Sequence, residues 1–460
     1  MGKEGKKKLA KMAAGVQPIL YQSDDQTVFL IDLPASIAAA QCATEQPLDL
    51  HIFSVEPPQQ PHCPRNEPHA SKRAKVDRNT VDVLLHTEYA SLINNALSNI
   101  KNHRQNLDWC LQRWTSSDSD PMCQDGPASD AFVQSNYSDK VSSQRVPDIV
   151  SKRPSQDSWD IITSLLHDMS GCRYPATYSI KPALPGPQAL GSGEDAHGRA
   201  QAGWQSFYVN NANTMQLLSL DRADNPAPRI SRQFLVPPGS AFLLGDCADS
   251  AAFRAVVRGA HEGDAQSRRF HFILLDPPWP NASARRKHAY RRPPSLRELA
   301  RLIEGMDLDS QISSGGFVGI WITNKPAIRA LVLEPGGIFD VLNVGLVEEW
   351  IWIKTTVSGD PVSDMDSAWR KPYEVLLLGK APASSLITAE HAEHIVRRVI
   401  AGVPDLHSRK PCLKPLIESL LLKSSEYNAL EIFARNLVAG WWSWGDEVLK
   451  FNWKGAFTAL

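Results

Sequence analysis

The C-terminal half of this sequence predicts an α/β fold, in which helices cover both faces of a largely parallel sheet. Short, almost continuously apolar runs alternate there with amphipathic stretches, and such runs are typical of strands buried on both faces. The predicted strands are 241–244, 272–275, 317–322, 350–353, 375–378 and 430–433. Helical patterns at 295–303 and 413–422 lie between them and complete the alternation expected of this fold class.

Two of these strands, 350–353 and 375–378, are joined without an obvious helix. A parallel pair needs a long crossover, whereas an antiparallel pair does not. We therefore predict an antiparallel hairpin with a long loop, placed at one edge of the sheet.

The N-terminal half is more heterogeneous and predicts an irregular α+β domain. Apolar runs at 19–21 and 28–31 flank a turn-like segment, which predicts a small hairpin within an N-terminal segment of residues 1–54. Residues 55–78 are rich in proline, histidine and charge and predict a basic, flexible linker. A helical and irregular domain is predicted over 79–235, and the α/β domain over 236–460.

Two helices are predicted within residues 79–235. The first carries an apolar stripe at helical spacing from Val81 to Trp114. The second begins after an Asp157 cap and ends at Gly171. The polar segment 115–150 predicts disorder, and the proline- and glycine-rich segment 174–200 predicts a loop.

Composition excludes several classes of protein. The 460 residues carry a formal net charge of -1, so any surface that binds nucleic acid must be local. Seven scattered cysteines without a Cys-x-x-Cys pair argue against a disulfide framework or zinc knuckle and indicate a reducing compartment. No apolar run approaches membrane-spanning length, and the lysine-rich N-terminus lacks the apolar core of a signal peptide. We therefore expect neither a membrane nor a metal partner.

The most informative motif is the tetrapeptide Asp276-Pro277-Pro278-Trp279, which directly follows the predicted strand 272–275. A proline-fixed turn after a buried strand delivers its side chains to the edge of the sheet where α/β proteins bind ligands. An acid, a fixed carbonyl and an aromatic ring within four residues can hold a flat, amine-bearing ring beside a positively charged donor. An ordinary Asp-Pro turn at the end of a strand is the alternative.

Further polar clusters are expected at the same edge of the sheet. Asp246-Cys247 follows the strand 241–244, and Ser408-Arg409-Lys410 lies after the apolar stretch 395–400 and just before a helix. The run from Glu431 to Asn436 at the last strand is trailed by Asp446-Glu447. Taken singly, each of these residues has an ordinary interpretation, such as a helix cap or a surface charge. The absence of glycine-rich dinucleotide and P-loop motifs from the sequence disfavours a dinucleotide oxidoreductase and a P-loop nucleotidase.

Together these motifs resemble the MT-A70 family of adenine-N6 methyltransferases and, within it, the subgroup of methyltransferase-like protein four. The resemblance covers residues 234 to 453 and includes Trp321-Ile322-Thr323-Asn324 and Lys371-Pro372-Tyr373-Glu374 beside the clusters above. The catalytic loop precedes the cofactor-binding strand, which is the circularly permuted motif order of that family. The resemblance therefore implies a Rossmann-like class I methyltransferase fold that uses S-adenosyl-L-methionine.

The resemblance also implies a role for each matched residue. Asp276 and the Pro277 carbonyl would accept hydrogen bonds from the adenine amine, and Pro278 and Trp279 complete the catalytic loop, with Trp279 as an aromatic wall for the purine. The residues expected to bind the cofactor are Asp246, Cys247, Lys410, Glu431, Arg435, Asn436, Asp446 and Glu447. Those expected to bind the substrate are Asn281, Arg285, Arg286, Tyr290, Glu374 and Ser408. Two positions depart from the family pattern. The family has asparagine at the position of Asp446, and it usually has histidine at the position of Arg409.

A basic loop after Trp279 favours a nucleic-acid substrate over a merely solvated charge run. Cations around an aromatic ring suit a phosphate backbone and an unstacked base, and the loop contains Arg285, Arg286, Lys287, His288, Tyr290, Arg291 and Arg292. The resemblance implies two substrate classes, 2′-O-methyladenosine of small nuclear RNA and adenine in DNA, and the sequence does not choose between them. RNA is the leading hypothesis, with DNA as the close alternative. The target adenine must leave its stack to be methylated, and the free energy of unstacking is lowest in single-stranded or loop RNA.

Two other functions are weighed against this one: a non-catalytic nucleic-acid-binding subunit of a methyltransferase complex, and a methyltransferase of small-molecule or protein amines. The intact tetrapeptide argues against the first, and the basic loop argues against the second. We expect a monomer. The basic cluster Lys72-Arg73-Ala74-Lys75 predicts import into the nucleus, with a solvated charge run as the alternative and the cytosol as a further location.

Overall fold

A computed structural model of the chain describes fifteen stretches of residues. They are 17–42, 50–62, 82–105, 107–115, 156–170, 176–182, 201–202, 206–222, 232–260, 269–280, 295–367, 371–384, 386–406, 409–422 and 426–457. The predictions for the basic cluster 72–75, for the segment 116–150 and for the basic loop 285–292 lie outside these described residues.

The described part of the chain forms fifteen strands and eight α-helices. The strands are β1 (Ile19–Gln22), β2 (Val28–Ile31), β3 (Ala176–Pro182), β4 (Gln201–Ala202), β5 (Phe207–Val209), β6 (Gln216–Arg222), β7 (Gln233–Val236), β8 (Ala241–Leu244), β9 (Phe270–Leu275), β10 (Ile312–Ile322), β11 (Gly345–Lys354), β12 (Tyr373–Lys380), β13 (Val396–Gly402), β14 (Ala429–Ile432) and β15 (Trp442–Gly445). The helices are α1 (Leu33–Ala39), α2 (Val83–His103), α3 (Gln156–Ser170), α4 (Ser250–Ala260), α5 (Leu296–Glu304), α6 (Pro326–Leu333), α7 (Ile338–Val341) and α8 (Lys414–Leu416).

Eleven strands form one central sheet in the order β1-β2-β13-β11-β12-β10-β9-β14-β15-β8-β5. Six neighbouring pairs are parallel, including the four that join β10, β9, β14, β15 and β8. A second, antiparallel sheet has the order β4-β3-β6-β7. The α/β class with a large, mostly parallel sheet is thus confirmed.

Helices cover both faces of the central sheet, as the nearly continuous apolar strands predict. Helices α2, α4, α5, α6 and α7 pack on one face through buried side chains such as Ile93, Leu299 and Phe339. Helices α1 and α8 pack on the other face through Leu33 and Leu416. The two apolar layers hold the strands rigidly, so the residues that follow each strand start from fixed positions.

The predicted hairpin at 350–353 and 375–378 is confirmed as β11 and β12, but its predicted position at the sheet edge is wrong. Strand β12 pairs with both β11 and β10. Strand β11 is not at the edge either, because β13, β2 and β1 extend the sheet beyond it. The N-terminal hairpin is confirmed as β1 and β2, and β2 pairs in parallel with β13. Strands from both sides of residue 235 therefore share one sheet.

Three other predicted segments differ from the structure. The stripe from Val81 to Trp114 extends past its helix, since α2 ends at His103 and residues 107–115 are irregular, with Trp109 packed in the core. The predicted loop 174–200 begins with β3, which non-local pairing with β6 stabilises despite weak local signals. The helix predicted over 413–422 is a short α-helical turn followed by a π-helical turn over Ile417–Leu422.

A buried ion cluster fastens α2 to the central sheet. Glu349 on β11 is fully buried and accepts hydrogen bonds from the Tyr89 hydroxyl of α2 at 3.0 Å and from Arg397 Nε of β13 at 2.8 Å. It also pairs with Arg329 of α6. Burial alone would raise the pKa of Glu349, but the two guanidinium groups outweigh burial and hold that pKa below its usual value.

Breaking this cluster should destabilise the protein much more than breaking a surface pair. We expect Glu349→Gln to lower the free energy of unfolding by about 3 kcal/mol, because Arg329 loses its buried counter-charge and Arg397 keeps only the more exposed Glu88. Asp360→Asn is the control, since Asp360 and Lys101 are both nearly half exposed and such pairs contribute less than about 1 kcal/mol. Urea denaturation measures both values, and equal losses would contradict the structural importance of Glu349.

Candidate active site

The carboxyl ends of four parallel strands meet at one edge of the central sheet. In sheet order the strands are β9, β14, β15 and β8. The predicted polar clusters follow them, at 276–279, 433–436, 446–447 and 246–247. Strands β9 and β14 are neighbours in the sheet. The chain leaves β9 towards β10 on one side and leaves β14 towards β15 on the opposite side, so a topological switch point lies between β9 and β14. Open α/β sheets bind their ligands at such points.

Asp276 lies at the centre of an ionic cluster at this edge. Lys410 Nζ lies 3.0 and 3.1 Å from its two carboxylate oxygens, and Arg435 Nη2 donates to it at 2.8 Å. Lys410 also pairs with Glu374 at 3.2 Å, and Glu374 pairs in turn with Lys354. These five residues are called the Asp276 cluster below. The Asp276 side chain remains 15% exposed, so a ligand can reach it.

Strand alternation explains why residues so distant in sequence converge. Phe272 and Leu274 of β9 and Leu376 of β12 pack into one apolar layer of the core. Because side chains alternate between the faces of a strand, Asp276 and Glu374 follow on the face that carries this layer. The cluster is therefore a polar continuation of the core where the strands end.

Two glutamates near Asp276 have opposite pKa shifts. Burial alone would raise the pKa of Glu374, but the Lys410 and Lys354 ammonium groups outweigh burial and lower that pKa to about 2. Burial and the nearby Asp276 carboxylate raise the pKa of Glu431 to about 8, and Arg435 and Lys410 counter this only in part. At neutral pH, Glu374 is therefore ionised and Glu431 is largely protonated.

Trp279 is placed where it fixes the turn 276–279, and this burial differs from its predicted role as an aromatic wall. It is 7% exposed and packs in the core layer on the face of α2. Its Nε1 donates to the Trp321 carbonyl at 2.7 Å, and its backbone N–H donates to the Pro277 carbonyl at 2.8 Å. A carbonyl oxygen has two lone pairs, so Pro277 can still accept a second hydrogen bond.

The aromatic rings beside the Asp276 cluster belong instead to neighbouring strands. The Lys410 ammonium lies 5.5 Å from the centre of the Trp321 ring, and the Lys354 ammonium lies 4.7 Å from that of Trp352. Sequence reasoning missed Lys354 as a site residue. Its signal was available, because Lys354 directly follows a recognised strand, as Asp276 does.

A strained turn shapes the end of β14. Phe433 has a φ of 59°, a left-handed conformation that a bulky side chain rarely adopts. The Ala434 N–H donates to the Trp444 carbonyl at 3.0 Å, and a Cβ on residue 445 would lie 2.8 Å from the Ala434 carbonyl oxygen. Only glycine at 445 therefore lets β15 approach the turn from which Arg435 reaches Asp276.

Asp446 and Glu447, the predicted ribose-binding pair, meet a histidine from the N-terminal half. His167 of α3 places Nε2 3.6 Å from Asp446 and 3.7 Å from Glu447. Glu447 is 1% exposed and pairs with Lys450 at 3.0 Å, whereas Asp446 is 34% exposed. Burial raises the pKa of Asp446, and Glu447 adds to the rise while His167 opposes it. Asp446 is thus the member of the pair that a ligand can reach.

The remaining predicted cofactor residues differ in accessibility. Asp246 is exposed at the end of β8, where its carboxylate accepts the Ala248 N–H at 2.9 Å, and Asn436 is half-buried beside Arg435. Cys247 is buried, and burial raises the pKa of its thiol. This placement favours packing by Cys247 over direct contact with a ligand.

Five of the six residues predicted to bind the substrate lie outside the described residues: Asn281, Arg285, Arg286, Tyr290 and Ser408. The sixth, Glu374, belongs to the Asp276 cluster. Within the described ranges, no group of three or more His, Cys, Asp and Glu side chains could hold a metal ion. Among the helices described, none has the length and apolar character needed to cross a membrane.

The large, mostly parallel sheet is consistent with a Rossmann-like methyltransferase fold. Sequence comparison agrees, because residues 270–447, less than half of the chain, match the MT-A70 family model. This segment is therefore similar to the MT-A70 family.

Relatives with curated names agree with this assignment. The chain is 42% identical over 234 residues to "N6-methyladenosine RNA methyltransferase MTA1" of Cryphonectria parasitica, a match covering 51% of this chain and 64% of the relative. It is 32% identical over 237 residues to human "N(6)-adenine-specific methyltransferase METTL4", covering 50% and 46%. It is 30% identical over 228 residues to "DNA N6-methyl methyltransferase" of Caenorhabditis elegans, covering 49% and 56%. The chain thus spans less than two thirds of the length of each relative.

A side chain at position 445 should disturb the site. We expect Gly445→Ala to lower the free energy of unfolding by about 1–3 kcal/mol, because the added Cβ overlaps the Ala434 carbonyl. Gly259→Ala is the matched control, since nothing lies within 4 Å of its added Cβ, and we expect a change within about 0.5 kcal/mol. Chemical denaturation measures both, and an unchanged Gly445→Ala protein would refute the close approach.

The raised pKa of Glu431 should make stability depend on pH. Its folded-state pKa of about 8 exceeds the reference value of 4.5, so its contribution to stability is fully present below pH 4.5 and is lost as pH rises through 8. We expect Glu431→Gln to have a higher unfolding temperature than the wild type at pH 9, and a smaller advantage at pH 6. Glu390→Gln, at an exposed position, should match the wild type at both pH values. A pH-independent difference for Glu431→Gln would contradict the shift.

Proposed function

We propose that this protein is an S-adenosyl-L-methionine-dependent adenine-N6 methyltransferase that acts on RNA, with DNA as the close alternative. The observation that carries the proposal is a reachable carboxylate, Asp276, held by two cations at the strand ends of an MT-A70 domain. RNA is favoured because the RNA-named relative is 42% identical, whereas the DNA-named relative is 30% identical.

The residues at the strand ends fit S-adenosyl-L-methionine by their chemistry. Its methionine part carries an ammonium and a carboxylate, and the Asp276 cluster offers groups of both signs. Its ribose hydroxyls and adenine amine need acceptors, which Asp446, Asp246 and Asn436 provide at solvent-accessible positions. When bound, this cofactor supplies a methyl group attached to a positively charged sulfur.

The catalytic role of Asp276 is to orient the amine that receives the methyl group. An exocyclic amine is a poor nucleophile because its lone pair is delocalised into the purine ring. Acceptance of its N–H groups by the Asp276 carboxylate and the Pro277 carbonyl favours a pyramidal nitrogen with an available lone pair. Such positioning can supply several kcal/mol of the acceleration. After transfer the nitrogen must lose a proton, and the Asp276 carboxylate is the available base.

Lys410 and Arg435 hold the Asp276 carboxylate in one orientation, so its geometry is set before the substrate arrives. The three cations of the Asp276 cluster outnumber its two carboxylates, and Glu431 adds no negative charge while it is protonated. The excess positive charge favours an anionic group, such as a phosphate or the carboxylate of the cofactor.

The finer features of the proposal rest on the family resemblance and on residues outside the described ranges. We propose single-stranded or loop RNA as the substrate, and 2′-O-methyladenosine of small nuclear RNA as the first one to test. We further propose a monomer that acts in the nucleus, with the cytosol as a second location. The basic cluster 72–75 supports import into the nucleus. The basic loop 285–292 supports binding of the phosphates of the substrate.

Substitution of Asp276 tests the proposed function. We expect Asp276→Asn to reduce methyl transfer at least about 100-fold, because it keeps the shape but removes the charge at the reacting amine. Purified protein would be incubated with labelled cofactor and with RNA and DNA oligonucleotides of the same sequence. Asp309→Asn, at an exposed position, is the control and should retain the wild-type rate.

The outcomes separate the candidate functions. Transfer to the DNA oligonucleotide alone would replace RNA by DNA as the substrate. Binding of S-adenosyl-L-homocysteine and RNA without transfer would identify a non-catalytic subunit instead. Equal rates for Asp276→Asn and the wild type would remove the role assigned to Asp276.

A further inference from the structure

Arg409, the residue before Lys410, is held deep in the protein. Its side chain is 1% exposed, and its Nη1 donates to the Asp405 carboxylate at 2.6 Å and to the Phe53 carbonyl at 3.0 Å. Its guanidinium lies 4.5 Å from the centre of the Phe451 ring. A planar guanidinium can stack on a ring and donate at its edge at the same time, which an ammonium cannot do.

Part of the N-terminal half forms a strap over residues 403–405, which lie a few positions before Arg409 in the sequence. The strap consists of residues 50–56 and 111–115, which pair with each other through Phe53 and Trp114. From the strap, Arg113 donates to the carbonyls of Val403 and Pro404, each at 2.7 Å.

A second set of contacts fixes the strap itself. The Val55 N–H donates to Asp405 at 3.2 Å, so this carboxylate is shared between the strap and Arg409. The Phe53 N–H donates to the Ala456 carbonyl at 2.8 Å, which ties the strap to the end of the described chain. Arg409 is therefore anchored on both sides, through Asp405 and through Phe53.

We propose that Arg409 is a positioning residue that sets Lys410 against Asp276, and that the N-terminal strap is thereby part of the active site. One peptide bond separates Arg409 from Lys410, so fixing the Arg409 side chain fixes the backbone from which Lys410 extends. A lysine has a flexible four-carbon stem, and its ammonium adopts one position only when its backbone is held. The catalytic part of this inference rests on the proposed function.

A double-mutant cycle distinguishes positioning from a general structural role. We expect Arg409→Met to lower the rate of methyl transfer by about 10–100-fold, as a misplaced catalytic group does. If Arg409 acts through Lys410, the same substitution in a Lys410→Ala background should cost less than about 2-fold further. Losses that multiply would overturn the proposal, because Arg409 would then act independently of Lys410.

Two further variants control for folding. Arg409→Lys keeps a cation beside Asp405 and should recover part of the lost rate at a near-normal unfolding temperature. Arg398 of β13 is a largely buried arginine that pairs with Glu348 of β11. Its replacement in Arg398→Met should retain the wild-type rate within about 2-fold. A rate loss in Arg398→Met equal to that in Arg409→Met would overturn the proposal.

A measurement that needs no activity tests the position of Lys410 directly. Brief labelling with an amine-reactive reagent, followed by mass spectrometry, should modify Lys410 slowly in the wild type because two carboxylates bind its ammonium. Labelling should become several-fold faster in Arg409→Met, while Lys414, which donates to the Ala439 carbonyl, should be unchanged. Equal labelling of Lys410 in both proteins would overturn the proposal. A wild type that transfers no methyl group would refute the proposed function, whereas the labelling result would still decide the placement of Lys410.

Discussion

The pairing of one carboxylate with two cations is the constraint on which the site depends. Asp276 alone at the end of an apolar strand would be a partly buried charge, which is costly without a partner. Lys410 and Arg435 remove that cost and fix the direction of the carboxylate. The three residues come from three segments, so the rest of the fold must bring those segments together.

A separate set of contacts positions each segment, and these contacts link the two halves of the chain. The strained turn at Phe433 and the close approach of Gly445 direct Arg435. The strap holds the loop of Lys410 through Arg409. The buried Glu349 fastens α2 to the sheet whose end carries Asp276. The N-terminal half is thus a structural part of the half that carries the candidate site.

The sequence predicts the local and short-range features well, and it fails where distant segments meet. Near-continuous apolar strands and the residues after them predicted the sheet class and placed Asp276, Lys410 and Arg435 at one edge. The β11–β12 hairpin lies inside the sheet because β12 pairs with β10 and β11 pairs with β13. Periodicity does not encode these pairings, nor the pairing of β13 with β2 across more than 350 residues. The burial of Trp279 and the contact of His167 with Asp446 illustrate the same limit. Both depend on tertiary packing rather than on the local sequence pattern.

The pairing of β2 with β13 also defines the minimal folding unit of this protein. A fragment cut to the boundaries of the MT-A70 match, 270–447, would lose β1 and β2 on one side and β8 and β5 on the other. Both β13 and β15 would then present unpaired backbone donors and acceptors along a hydrophobic edge. Such edges template intermolecular sheet growth, so an isolated fragment 270–447 of this chain would self-associate through β13 and β15.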